Sequence, residues 1–210
     1  MNFKQLIKKM KDKGVVFADG LTTEEFDKIE NIYNIKFPKD LKEFLSISLP
    51  FAEYSSTPKV AGQKEVFHYE FSFPIWNDFS EENISKIKDW IDMPKNSLIQ
   101  EYEQTKKDKH QFYDILLNDL GLNNENSIEE IDKEFNEFVN NKLEKTIPIF
   151  AHRYILQKEN SPILSIYKSD EIALYGENLY EYLEHEFFNK NISTDYFKIN
   201  LGNWHEVVLR

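Results

Sequence analysis

Apolar positions recur along this chain with two periods, helical first and then strand-like, and the change of period organises it. Phe3, Leu6, Ile7 and Met10 fall at i, i+3, i+4 and i+7, one stripe of a first helix whose other face carries Lys4, Lys8, Lys9 and Lys11. That is the pattern of an amphipathic helix docked on a core, with its lysines in water, and Gly14 ends it. The next stretch, LTTEEFDKIENIY, opens with a capping box. Thr22 accepts from the Glu25 amide, the Glu25 carboxylate reaches back, and Leu21 and Phe26 stand at staple spacing. Phe26, Ile29 and Tyr33 supply its inner stripe. Pro38 then suits the first turn of a third helix, DLKEFLSIS, which ends before Pro50.

Residues 66–73 (VFHYEFSF) alternate partly and read as a strand or extended loop. Ser80 suits the cap of a helix holding Ile84, Ile87 and Ile91, which Met93-Pro94 is expected to break. The polar stretch 95–145 then reads as largely helical, with one stripe at Phe112, Ile115 and Leu116 and another at Ile128, Ile131, Phe135, Phe138 and Val139. After it the texture changes. IPIFAHRYIL, SPILSIYKS and EIALYG are short, rich in Ile, Leu and Tyr, and separated by turn-formers, which predicts three consecutive strands. The second is apolar on both faces, as a central strand covered by helices requires. Gly176 closes the set, and Asn178 with Glu181 caps a helix whose inner face is Leu179, Tyr182, Leu183 and Phe187. The C-terminal FKINLGNWHEVVLR adds a strand or hairpin. No internal repeat or low-complexity linker divides the chain, so residues 1–210 read as one α+β domain.

Charge narrows the partners. Lys plus Arg number 26 against 37 Asp plus Glu, and a net charge of -11 disfavours a duplex nucleic-acid partner, whose phosphates need cations. A basic partner fits better, although acidity also serves solubility alone. There are no cysteines, which excludes a disulfide scaffold, a thiolate metal site and a cysteine nucleophile, and suits a reducing compartment. No run approaches the roughly 20 apolar residues of a membrane span, and the lysine-rich N-terminus does not read as a signal peptide, so a cytoplasmic location is expected.

Catalytic signatures are sparse. Histidines 68, 110, 152, 185 and 205 are scattered and show no HExxH spacing, and there is no phosphate loop, GxGxxG or GxSxG. No cofactor or metal is expected. His185 lies between Glu184 and Glu186, but adjacent residues on a helix do not face one another, so it reads as solvated surface. His152 and Arg153 interrupt an apolar strand and should point to opposite faces. Arg153 then either pairs with a core carboxylate or contacts a ligand. Trp76 and Asp78, after Pro74, read equally as a partner anchor and as core plus loop. Acidic residues gather at Asp170, Glu171, Glu177, Glu181, Glu184 and Glu186 with no Lys or Arg among them, a field suited to steering a cationic partner. Residues 125–145 extend it, with seven acids against three lysines.

Two blocks resemble the SUKH superfamily, which contains bacterial immunity proteins and yeast cell-wall-synthesis regulators. The first is GVVFADGLTTEEFDKIENIYNIKFPKDLKEFLSISLPF, residues 14–51. The second is IPIFAHRYILQKENSPILSIYKSDEIALYGENLYEYLEHEF, residues 147–187, and the Pro74-Ile75-Trp76 and Asp78 element lies between them. The helical stretch 95–145 departs from the family pattern and reads as an insertion or divergent segment. The resemblance implies a mixed central sheet flanked by several helices, no enzymatic activity, and a role in neutralising a cognate toxin, commonly a nuclease. A regulatory adaptor for an endogenous protein is the alternative it offers. The family's marked positions fall on Glu30, Pro38, Trp76, His152, Arg153, Tyr154, Asp170, Tyr175, Gly176 and Asn178. Of these Glu30, Pro38, Gly176 and Asn178 read as structural. The candidate partner face comprises Trp76, Asp78, His152, Arg153, Tyr154, Asp170, Glu171, Tyr175, Glu177, Glu181 and Glu184.

Overall fold

The N-terminal helix forms where its apolar stripe predicts. In the computed structural model, which describes residues 2–50, 73–108, 117–118, 120–123, 125–167, 172–190 and 201–204, α1 (Phe3–Asp12) buries Phe3, Leu6, Ile7 and Met10. Gly14, at φ +94°, closes it, with the Gly14 and Val15 amides donating back to the carbonyls of Lys11 and Met10. In α2 (Thr23–Tyr33) both halves of the capping box are made, the Thr22 amide donating to Glu25 at 2.8 Å and the Glu25 amide to Thr22 at 3.2 Å. Pro38 stands one residue ahead of α3 (Lys39–Ile47) rather than inside its first turn.

A small ladder escapes the periodicity. β1 (Phe17–Asp19) pairs antiparallel with β2 (Ser48–Pro50), Ala18 opposite Leu49. Strands of three residues are too short to show alternation.

The expected break at Met93-Pro94 does not occur. Ser80 caps as predicted, but α4 runs unbroken from Glu81 to Asp108 with Pro94 inside it. The missing proline amide forfeits one helical bond. Packing overrides that loss, because Ile87 and Ile91 lie in one apolar core while Leu98 and Tyr102 lie in a second. Farther on, α5 (Ile128–Glu137) passes into a π-helical turn over Phe138–Lys142, where the Leu143 amide reaches the Phe138 carbonyl at 2.9 Å. Ile131, Phe135, Phe138 and Val139 are buried as the stripe predicts, but Ile128 is 61% exposed because it opens the helix ahead of that stripe.

The sheet holds β3 (Thr146–Phe150), β4 (Arg153–Leu156), β5 (Ile163–Ile166) and β6 (Ile172–Gly176), in that spatial order and antiparallel throughout. Two expectations are corrected here. The run IPIFAHRYIL is a hairpin rather than one strand, turning at Ala151 (φ +49°) and His152 so that Phe150 faces Arg153. The sheet is not mixed, because no more than six residues separate one strand from the next, far fewer than a parallel crossover needs. β5 is central and apolar on both faces, as predicted. Tyr154, Leu156, Leu164, Ile166 and Leu174 face the core built with α4, α5 and Trp204, while Ile155 and Ile163 face the core built with α1 to α3 and α6 (Leu179–Phe188). The architecture is α+β. Gly202–Trp204 forms a 3-10 turn; the rest of the segment expected to add a strand or hairpin lies outside the described residues. The strand or extended loop expected at 66–73, apart from Phe73, the stripe at Phe112, Ile115 and Leu116, and histidines 68, 110 and 205 lie outside the described residues. Among those described, no helix is long and apolar enough to cross a membrane.

Candidate functional site

Several marked positions serve architecture. The Glu30 side chain is 3% exposed, and its carboxylate accepts the Phe37 amide at 2.9 Å and the ammonium groups of Lys36 and Lys42, each at 2.8 Å. Burial alone would raise its pKa, but the lysine hydrogen bonds and the Phe37 amide more than offset that and hold it below the usual value. Trp76 is 2% exposed, edge-on to Phe37 and Tyr33 at ring separations of 5.1 and 5.7 Å. Tyr154 is fully buried, and burial raises its pKa. Trp76 and Tyr154 are therefore core residues, a correction to the predicted partner face, since neither side chain is exposed at the surface. Asp78 is exposed and orders the turn into α4 by accepting the Ser80 amide at 2.9 Å. Asn178 accepts the Glu181 amide at 3.0 Å, while the Glu181 carboxylate reaches the Glu177 amide rather than closing a box on Asn178.

Arg153 begins β4 on the sheet face beneath α6. Its Nη1 donates to Ser165 at 2.7 Å, its guanidinium lies 3.7 Å from the Tyr175 ring centre, and its Nε is 3.5 Å from the Glu186 carboxylate. This is the core-carboxylate alternative of the two readings. Burial raises the Glu186 pKa against the opposing pull of Arg153 and His185. The sequence placed Glu186 among the surface acids, and only its position one residue before the inward-facing Phe187 hints otherwise. The buried Tyr182 hydroxyl has no hydrogen-bond partner among the described residues, and burial and then Glu186 drive its pKa well up. His152 occupies the hairpin turn rather than the opposite strand face. It is half-buried with its ring 5.5 Å from that of Tyr167, and burial with Arg153 pushes its pKa down to about 4. It is thus neutral at physiological pH. His185 is half-buried rather than solvated, with Nδ1 2.7 Å from the Lys190 carbonyl and its ring 5.2 Å from that of Tyr175.

The acidic run is smaller than its sequence suggests. Lys190, just beyond it, folds back onto Glu184, and Glu186 faces Arg153. Glu177 remains exposed, and Asp170 and Glu171 lie outside the described residues. A second group of exposed acids lies on α5, Glu129, Glu130 and Glu137, with Glu125 just ahead of it, in the same segment as the exposed Ile128 and without a salt bridge among the described residues, although Lys133 acts on Glu130. Asp132 is excluded from it, because Lys106 and the Tyr102 hydroxyl engage its carboxylate.

These features define an α+β protein with a four-stranded antiparallel sheet and a separate two-stranded ladder, in which Arg153 and Glu186 join β4 to α6 and Glu30 ties α2 to the start of α3. No protein-family model, curated protein or solved structure matches the chain.

Proposed function

We propose that this chain is an immunity protein, a cytoplasmic binder that neutralises a cognate bacterial toxin with a basic surface, most naturally a nuclease. The observation carrying this reading is Ile128, a large apolar side chain 61% exposed on a helix whose neighbouring Glu125, Glu129 and Glu130 are exposed carboxylates. An apolar anchor bordered by one sign of charge suits a partner that presents cations around a hydrophobic contact. The resemblance of residues 14–51 and 147–187 to SUKH immunity proteins supports the same assignment. Co-expression with the toxin encoded beside its gene tests it, the expected result being a stable complex and survival of the host. Persistent toxicity, or capture of housekeeping proteins in place of the toxin, overturns it, the latter in favour of a regulatory adaptor.

A further inference from the structure

A cleft of about 230 Å³ opens where the end of α2, the middle of α4, the π-helical turn and the start of β3 meet. It lies below the roughly 300–1,000 Å³ of sites for drug-sized ligands, which selects a molecule of amino-acid dimensions. Its apolar part comes from Ile91, Val139, Leu143 and Trp204. The π-helical turn supplies Val139 and Asn140, and such turns recur at functional sites.

The polar lining carries both signs. Asp92 and Lys95 come from α4, and Glu144 and Lys145 from the segment leading into β3. Lys95 donates to the Asn140 side chain at 2.7 Å and Lys145 to the Asn34 carbonyl at 2.8 Å. Each ammonium has three donors, so capacity remains on both. Glu144 is occupied by the Asn203 amide, whereas Asp92 has no ion-pair partner among the described residues. Tyr33 lines the same cleft, is only 6% exposed, and its hydroxyl has no hydrogen-bond partner among the described residues. An unmatched buried hydroxyl is costly.

We propose that this cleft binds a free α-amino acid with an aliphatic side chain, its ammonium held by Asp92 and the Tyr33 hydroxyl and its carboxylate by Lys95 and Lys145. A cleft that brings both signs of charge to an apolar floor is the complement of a small zwitterion. The inference is independent of toxin binding, since none of these residues belongs to the α5 face.

The test is thermal denaturation and titration calorimetry of the full chain with free aliphatic amino acids, their N-acetyl forms and their amides. The expected result is a saturable rise in melting temperature with the free amino acid, lost when either end is neutralised. Tyr33→Phe keeps the ring on Trp76, so the ligand-free protein should hold or gain stability while binding weakens roughly three- to tenfold. Asp92→Asn should weaken binding without altering the ligand-free melt. The proposal is overturned if no amino acid binds, if the neutralised forms bind equally, or if both variants bind as the wild type does.

Discussion

The Phe37 amide donates to the Glu30 carboxylate at 2.9 Å, across the turn that carries the chain from α2 into α3. Lys36 and Lys42 complete the shell, so one buried acid fixes the angle between two helices. Glu30→Gln keeps an acceptor but loses the charge, and should cost about 1–3 kcal/mol at neutral pH. The folded-state pKa lies below the usual 4.5, so this contribution is complete above that value and lost as pH falls through the folded one. Chemical denaturation of both proteins should therefore show a gap that closes in acid. A gap constant with pH would remove the charge from the explanation.

Arg153 couples β4 to α6 through Glu186, so the pair is a stability element first. Arg153→Ala leaves a half-buried carboxylate facing an apolar layer and should cost about 2–4 kcal/mol. The pKa shift has the opposite sign to that of Glu30, yet the penalty again grows with pH. The Glu186 pKa is raised, and losing Arg153 raises it further, so the penalty grows as pH rises above 4.5 toward neutrality. In mildly acid solution, where the carboxyl is protonated, the variant should approach the wild type. The double variant Arg153→Met with Glu186→Gln should recover part of the loss at neutral pH, which a double-mutant cycle in denaturant would measure.

Much of this architecture was legible because helices announce themselves by stripes and caps. Thr22, Glu25 and Asn178 do locally what their positions require, and their sequence neighbours are the partners they use. The hairpin at Ala151 and His152 was hidden because neither residue is a turn-former, and a positive φ on alanine leaves no compositional trace. Pro94 misled for the converse reason, since its local preference is strong but the two cores anchoring α4 are built from distant segments. The site was less legible still. Lys190 lies outside the acidic run it partly neutralises, and Glu186 looks like its neighbours until the sheet places Arg153 beneath it.

That redistribution of charge changes which residues steer a partner. Reversal at Glu181 or Glu184 disturbs the start of α6 or its Lys190 pair, mixing structural damage with electrostatics. Glu129→Lys with Glu137→Lys, both exposed on α5, should lower the melting temperature slightly, through loss of an acid from the first helical turn and of the Asn141 bond, while slowing association and flattening its salt dependence. Glu177→Lys should have the smaller effect. Stopped-flow association with the toxin at low and high salt checks this, and equal rates for all variants would sink the steering role of α5. Ile128→Asn should act instead on dissociation, because it removes contact area rather than field.

Gly176 ends β6 directly against Tyr182, and a Cβ added there would sit 2.9 Å from the Tyr182 Cβ and 3.2 Å from its Cα. Those atoms belong to a residue with no exposure, so they yield only if α6 shifts from the sheet. Gly176→Ala should therefore cost roughly 1–3 kcal/mol by overpacking. Gly14→Ala is the control with the other cause, since the space there is open but φ is +94°, and it should cost roughly 1–2 kcal/mol through backbone strain alone. The two differ in what they couple to. Displacing α6 also moves Glu186 away from Arg153, so Gly176→Ala and Arg153→Ala should combine to less than their sum, whereas Gly14→Ala shares no partners and should add to either. Denaturant midpoints for the three singles and three doubles decide it, and full additivity of Gly176→Ala with Arg153→Ala would show that the ion pair does not depend on where that glycine lets α6 rest.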